Sequence, residues 1–297
     1  MTPNWIAADW GTSNARFWAI GGDGTVLGER TSDKGMGTLD PSEFEGVLVD
    51  VCADWLETAN TVVACGMVGS RQGWVEAPYQ TAPCSVCPAT MVTAPVTRVG
   101  LTVHVIPGIR QMNPADVMRG EETQIAGFLA QNPGWDGVIC LPGTHTKWVH
   151  VSADEVVSFQ TCMTGEMFAL LTQHSVLRHS IAKGGWDDAE FADAMSHTLS
   201  RPEALAGRLF SLRAAQLVND TDTVILRARL SGLLIGAELA AAKPYWLGRE
   251  IALIGADAVS MPYVAGLKMQ GVPVLRGDAK DMTLAGIKAA HALLETA

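Results

Sequence analysis

Asp9 closes an apolar run, Trp5-Ile6-Ala7-Ala8, and Gly11-Thr12-Ser13-Asn14 follows almost at once. A carboxylate in that place can hold Mg²⁺ directly or through water. The glycine removes the Cβ that would block an approach, so backbone N–H groups and two hydroxyls can surround a phosphate. Arg16 belongs to the same candidate set. The pattern then comes a second time. Val138-Ile139-Cys140-Leu141 runs into Pro142-Gly143-Thr144-His145-Thr146, and strand composition returns from Lys147 to Val151. Aligning Gly11-Thr12 with Gly143-Thr144 puts Asp9 on Leu141. The first turn therefore offers a carboxylate, and the second must work through N–H groups, Thr144, His145 and Thr146. One such turn is equally well an ordinary polar hairpin. Two of them, far apart in one chain, imply two related lobes, each turned to one side of a polyphosphate.

The elements that carry these turns are legible from pattern. Trp5–Ala8 and Arg16–Ile20 read as buried strands around the first turn, and a third strand starts at Thr25 after Gly21-Gly22-Asp23-Gly24. Asp33–Pro41 is a loop in which Gly35 and Gly37 permit close approach. A helix runs from Pro41-Ser42 to about Glu57, with Phe44, Val47, Leu48, Val51 and Trp55 on one stripe. Thr61–Met67 is a central strand, and Val99–Pro107 is another. Residues 115–129 enter a helix. Asn132-Pro133-Gly134-Trp135-Asp136-Gly137 is the clearest boundary signal, and the lobe junction is placed there. After it come a helix from Thr164 with Met167, Leu170, Leu171, Val176 and Leu177 facing a core, an acidic surface helix over 186–200, and another helix over 205–217. A long helix over 222–243, a strand over 250–254, an edge strand over 272–275 and a terminal helix over 278–297 complete the chain.

The segments ADWGTSNARFW (8–18), CGMVGSRQGWVEAPY (65–79), MRGEETQIAGFL (118–129), CLPGTHTKWV (140–149), TGEMFALL (164–171), LSGLLIGAEL (230–239) and LIGADAVSMPYVAGL (253–267) together resemble the sugar kinase, hsp70 and actin superfamily. More narrowly, the chain resembles the 2-dehydro-3-deoxygalactonokinase family. The likeness covers nearly the whole length. It implies an α/β, two-lobed actin-like ATPase (ribonuclease H-like) fold with a nucleotide cleft between the lobes. An N-terminal lobe would span 1–132, a C-terminal lobe 133–280, and a terminal helix over 281–297 would return to the first. It implies ATP and Mg²⁺ as cofactors and a small-molecule sugar acid as substrate, phosphorylated on its carbon-six hydroxyl in galactonate catabolism. Alternatives are a kinase for another sugar or sugar acid, an exopolyphosphatase-like phosphohydrolase (GEET resembles that group's acidic segment), and a nucleotide-sensing regulator without turnover.

The resemblance also gives roles. Phosphoryl transfer needs a carboxylate to accept the attacking hydroxyl's proton, and superfamily members place an acid at a like position on a helix. Glu121 is favoured over Glu122 as this base, with Asp9 as metal ligand and rival base, and Arg119 as partner of either acid. Paired acids at a helix start are also what the macrodipole favours. Arg71 can fork onto a sugar-acid carboxylate, with Gln72 beside it, Trp74 stacked on the carbon chain and Tyr79 a weaker contact. Arg110 is a second anion contact. Gly255 and Ala256 stand where superfamily members pack a small-residue turn beneath adenosine.

Composition narrows the field. The 297 residues carry a formal net charge of −10. There is no long basic run, so nucleic acid is not an expected partner. No apolar run reaches a membrane span. Neither a signal peptide nor a membrane partner is expected, and the expected location is cytoplasmic, with a homo-oligomer open. Of the six cysteines, Cys84 and Cys87 form a CxxC without the second pair a zinc site needs, and reduced thiols are expected.

Overall fold

The computed structural model describes residues 2–88 and 90–296. Met1, Ala89 and Ala297, the last being the expected end of the terminal helix, lie outside the described residues. The chain divides into two compact units, one of Met1–Asp136, Val151–Ser158 and Asp278–Ala297, the other of Gly137–His150 and Phe159–Gly277.

In the first unit β1 (Trp5–Trp10), β2 (Ala15–Ile20) and β3 (Val26–Ser32) precede α1 (Phe44–Cys52) and β4 (Thr61–Gly66). The two-residue strands β5 (Gln80–Thr81), β6 (Cys84–Ser85) and β7 (Val92–Thr93) lead to β8 (Thr102–Val105), β9 (Ile109–Met112), β10 (Ala115–Met118) and α2 (Glu121–Gln131). The main sheet has the order β3-β2-β1-β4-β8-β7, with β1 antiparallel to β2 and parallel to β4. Apart from Asp9, β1 is apolar because both its faces are covered. Ile6, Ala8 and Trp10 pack with Phe44 and Leu48 of α1. Trp5 and Ala7, on the alternate face, pack with Ile287 and Ala290 near the chain's end. This is the period of two expected of a strand between two layers.

The second unit opens with β11 (Gly137–Leu141), β12 (Thr146–Ser152) and β13 (Glu155–Cys162), the last two running partly in the first. Then come α3 (Thr164–Gln173), α4 (Asp188–Ser200), α5 (Leu205–Asn219), α6 (Thr223–Ala241), the short α7 (Lys243–Trp246), β14 (Ile251–Ile254), α8 (Asp257–Met269) and β15 (Val274–Gly277). β14 pairs in parallel with both β11 and β15. Helix α9 (Ala279–Thr296) belongs to the first unit.

Several expectations need correction. Residues 115–118 do not begin a helix: they pair antiparallel with β9, and the helix starts only after Gly120, whose φ of +105° breaks the chain's direction. The helix expected from 41 to 57 ends at Cys52, and a separate 3-10 turn carries Trp55. The face of α3 read as core is only partly so: Met167, Leu170 and, beyond the helix, Val176 are exposed, whereas Leu171 is partly buried against a core cluster that contains the buried Leu177. The acidic helix α4 is no surface helix. Its Phe191, Ala194, Met195 and Thr198 are buried against α6. There Gly232 and Gly236 come so close to α4 that a Cβ would lie 2.4 and 2.3 Å from the carbonyls of Phe191 and Met195.

A similar backbone contact joins α2 to α9. A Cβ on Gly127 would lie 1.9 Å from the Met282 carbonyl oxygen, and one on Gly286 would lie 1.8 Å from that of Thr123. Gly286→Ala should cost about 3 kcal/mol through overpacking and lower Tm by on the order of 5–10 °C. Gly207→Ala, at a helical site where a Cβ meets nothing within 4 Å, should leave Tm unchanged or slightly raised. Thermal unfolding followed by circular dichroism checks both, and equal effects would contradict the close crossing.

Candidate active site

Three chain segments of the first unit meet at the C-terminal ends of β1 and β4. Asp9 and Trp10 of β1 lie in register with Cys65 and Gly66 of β4. Gly66 has φ +89°, and a Cβ there would press to 2.8 Å from the Trp10 carbonyl oxygen. Gly120, the residue before α2, comes as near, its hypothetical Cβ 3.5 Å from the Gly66 Cα. The first turn of α2 is thereby brought to the end of β1. The turn between β1 and β2 is closed by the Gly11 N–H donating to the Asn14 carbonyl at 2.9 Å. Thr12, Ser13 and Asn14 are exposed. The 33–41 loop braces this turn from outside. The N–H groups of Met36 and Gly37 donate to the carbonyls of Gly11 and Thr12, and only glycine fits at 35, where a Cβ would lie 2.3 Å from Ser13.

The acids at this junction are unlike one another. Asp9 is partly buried, with Arg16 at 3.6 Å. Burial pushes its carboxyl up, and Arg16 and the Cys65 thiol pull the other way. Glu122 is only 1% exposed. Its carboxylate accepts the Gly120 N–H at 2.7 Å and the Thr123 hydroxyl at 3.1 Å. Burial first, and then the charge of Glu121, push Glu122 up to about 7. Glu121 is partly exposed and accepts the Arg119 N–H at 3.0 Å. The Arg119 side chain does not pair with either acid as expected. It lies over the Tyr79 ring at 4.4 Å and donates to the Ala77 carbonyl at 2.8 Å. That stack takes up the Tyr79 ring.

The other residues expected at a sugar-acid pocket fall out differently. Arg71 and Gln72 are exposed just beyond β4, Arg71 with Glu76 at 3.9 Å. Arg110 is exposed on β9 and donates to the Thr81 hydroxyl at 2.9 Å. Trp74 is a core residue. It is 5% exposed, stacks on Phe44, meets Trp10 edge-on, and donates its indole N–H to the Pro95 carbonyl. No face is left for a carbon chain, and its place is explained by the aromatic core it completes.

In the second unit the turn at Gly143-Thr144-His145 joins β11 to β12, with Thr144 and His145 exposed. His145 Nε2 lies 2.6 Å from a Glu166 carboxylate oxygen. The Glu166 N–H donates to the Thr144 carbonyl, so the start of α3 holds the turn from one side. Thr146 is not a free donor. It is fully buried, its hydroxyl 2.9 Å from that of Tyr263, because it is the first residue of β12 and points inward. Lys147 is also buried and donates to Thr161. Gly255 sits behind the turn, where a Cβ would meet Ser260 and Pro142, and Ala256 is exposed. Beside the turn opens a cavity of about 710 Å³. Pro142, Gly143 and Gly165 line it, with Trp186 and Arg227 on the α4 and α6 side and Asp257 from the start of α8. Trp186 and Arg227 were missed by sequence reasoning. The one available signal was the Gly184-Gly185 pair before the tryptophan.

A family described as 2-keto-3-deoxy-galactonokinase matches residues 9–290. The chain belongs to this family. A probable 2-dehydro-3-deoxygalactonokinase of Rhizobium meliloti is 38% identical over 96% of both chains, and the 2-dehydro-3-deoxygalactonokinase of Escherichia coli is 34% identical over 99% of both. A crystal structure of a candidate 2-dehydro-3-deoxygalactonokinase from Sinorhizobium meliloti superposes with a TM-score of 0.90 at 37% identity, covering 98% of this chain and 99% of that one. The dehydratase activator of Clostridium difficile with bound ADPNP reaches a TM-score of 0.51 at 14% identity over 99% of this chain and 97% of that one, a likeness of fold. The fold is thus the α/β actin-like ATPase fold, and the chain is a sugar-acid kinase by family. Among the described residues no helix is long and apolar enough to cross a membrane.

Glu122 gives a pH signature. Its folded form keeps the proton up to about pH 7, whereas the unfolded chain releases it near 4.5. The folded state therefore binds more protons between these values, and stability falls as pH rises through that window. Glu122→Gln should remove the fall: its Tm advantage over the parent should grow from pH 4.5 to 7 and level off above. An advantage constant with pH would contradict the burial of an ionisable carboxyl there.

Proposed function

We propose that this chain transfers the γ-phosphoryl group of ATP to the carbon-six hydroxyl of 2-dehydro-3-deoxy-D-galactonate. The observation that carries this reading is the meeting of Asp9, the open Gly11–Asn14 turn and the first turn of α2 at one sheet end. It places a carboxylate, backbone donors and a second acid within one small region, which is what phosphoryl transfer requires.

In this reading Glu121 accepts the proton of the attacking hydroxyl. Glu122 is walled off at 1% exposure, so of the α2 pair only Glu121 can reach a substrate. Glu122 instead fixes the helix start by accepting the Gly120 N–H. Arg71, with Gln72 and Arg110, supplies the positive charge and donors that a sugar-acid carboxylate needs in a chain of net charge −10. The turn that Gly11 leaves open lets the N–H groups of Thr12, Ser13 and Asn14, the two hydroxyls and Arg16 attract phosphate oxygens in the first unit, while the Gly11 N–H closes the turn on Asn14. Gly143, Thr144 and His145 do so in the second. The cavity beside Gly143 takes the nucleoside, with Gly255 packed behind the turn.

Among the described residues no group of three or more His, Cys, Asp or Glu could hold a metal. Mg²⁺ suits such a place, because it binds through one or two carboxylates together with substrate phosphates and water. The partly buried Asp9, at the end of β1 beside the open turn, fits that demand and would be its ligand. When bound, the ion would neutralise charge on the phosphates.

ADP release coupled to a reporter enzyme, over a panel of sugar acids, tests the reading. Turnover is expected with 2-dehydro-3-deoxygalactonate, and no turnover with any sugar acid of the panel would contradict the reading. Glu121→Gln should lower kcat by about a hundredfold or more with little change in KM. Arg71→Ala should raise KM for the sugar acid and leave KM for ATP alone. Near-full kcat in Glu121→Gln would remove Glu121 as the base.

A further inference from the structure

Glu238 is a buried acid that the reaction described above does not use. It lies on α6 in an apolar stretch, Leu233-Leu234-Ile235-Gly236-Ala237-Glu238-Leu239, and is 4% exposed. One carboxylate oxygen accepts the Trp148 indole N–H at 2.8 Å, and the other accepts the Tyr263 hydroxyl at 2.7 Å. The Thr164 hydroxyl bonds to it as well. Burial pushes the carboxyl up, and these three donors pull it back toward the charged form. With its own proton given to Glu238, the Tyr263 oxygen receives the Thr146 hydroxyl.

Two of these partners, Thr164 and Tyr263, line the 710 Å³ cavity, and Thr146 and Trp148 belong to the strand that leaves the turn beside it. Thr164 opens α3 and lines the cavity with Gly165, which is seated so tightly on the second turn that a Cβ would lie 2.2 Å from the Gly143 carbonyl oxygen. Tyr263 lines it from α8. Thr146 ends the turn itself, and Trp148 follows in β12. Glu238 is not among the lining residues, although α6 supplies Arg227, Ser231, Leu234 and Ile235 to the lining. One buried side chain thus ties the turn, α3 and α8 to α6. Buried charged hydrogen bonds of this kind are directional and costly to leave half made.

We propose that Glu238 is a positioning residue for the nucleotide: it sets the spacing of the cavity walls and the seat of the Gly143 turn without touching either substrate. The inference rests on the reading of this cavity as the nucleoside site. Its grip is specific to a carboxylate, because Trp148, Tyr263 and Thr164 all donate. Glutamine would present an NH₂ group to donors on one side. Tyr263→Phe removes one hydroxyl while keeping the ring.

Titration calorimetry with magnesium-ADP on the full chain tests this, alongside KM for each substrate. Glu238→Gln should weaken ADP binding about tenfold, the scale on which loss of a residue supporting a ligand contact is felt. KM for the sugar acid should not move. Tyr263→Phe should weaken ADP binding less, and the double variant should be no worse than Glu238→Gln alone, because both act through one network. A merely structural role would instead lower the active fraction, leaving both KM values and the ADP affinity of the folded protein unchanged. If Glu238→Gln does not fold, Tyr263→Phe decides by the same ADP titration. Variants that bind ADP as the parent does overturn the inference alone. A parent protein that binds no ADP overturns the nucleoside reading, and this inference with it.

Discussion

The first unit depends on a contact between two backbones. Helix α9, the last element of the chain, crosses α2 where Gly127 and Gly286 leave no room for a methyl group. The same helix covers one face of β1 and β4 through Ile287 and Ala290. Its position therefore fixes α2 against the sheet. The first turn of α2 can then stand at the end of β1, with Gly120 against Gly66. Without that crossing, Asp9 and Glu121 would be two unrelated surface acids. The C-terminal residues, far in sequence from these two acids, help set their spacing.

The candidate phosphate turn of each unit is built mainly from backbone. In each unit a short turn exposes N–H groups and hydroxyls, and a tightly seated neighbour holds that turn. The neighbour is the Gly35 loop in the first unit and the start of α3 at Gly165 in the second. The choice suits a protein of net charge −10 that handles anions. Fixed dipoles attract phosphate without adding a basic surface that would draw other polyanions. The acids near the first turn are costly for the same reason. Burial raises both Asp9 and Glu122, the latter to about 7.

The turns were legible in the sequence because glycine, threonine and strand alternation report local backbone directly. So were the Phe44–Leu48 stripe of α1 and the long apolar α6. Properties set by partners distant in sequence were not. Trp74 in a polar loop reads equally as ligand platform or core, and only the arrival of Phe44 and Trp10 decides. Glu121 and Glu122 are neighbours, yet one helical step of about 100° sends one inside and leaves the other open. Thr146 looks like a third donor of the second turn, but β12 begins there and turns its hydroxyl inward. The strand at 115–118 needed β9 as a partner before it could be told from the start of a helix. Glu238 did leave a trace: a lone acid in the apolar run of α6 must find donors.

The central claim is that this chain transfers the γ-phosphate of a nucleotide to the primary hydroxyl of a sugar acid. Phosphorus–proton correlation NMR on the product formed from ATP and 2-dehydro-3-deoxygalactonate tests it most directly. A single phosphate ester coupled to the carbon-six protons is the predicted result. Phosphate on another carbon, or inorganic phosphate with no ester, would contradict it.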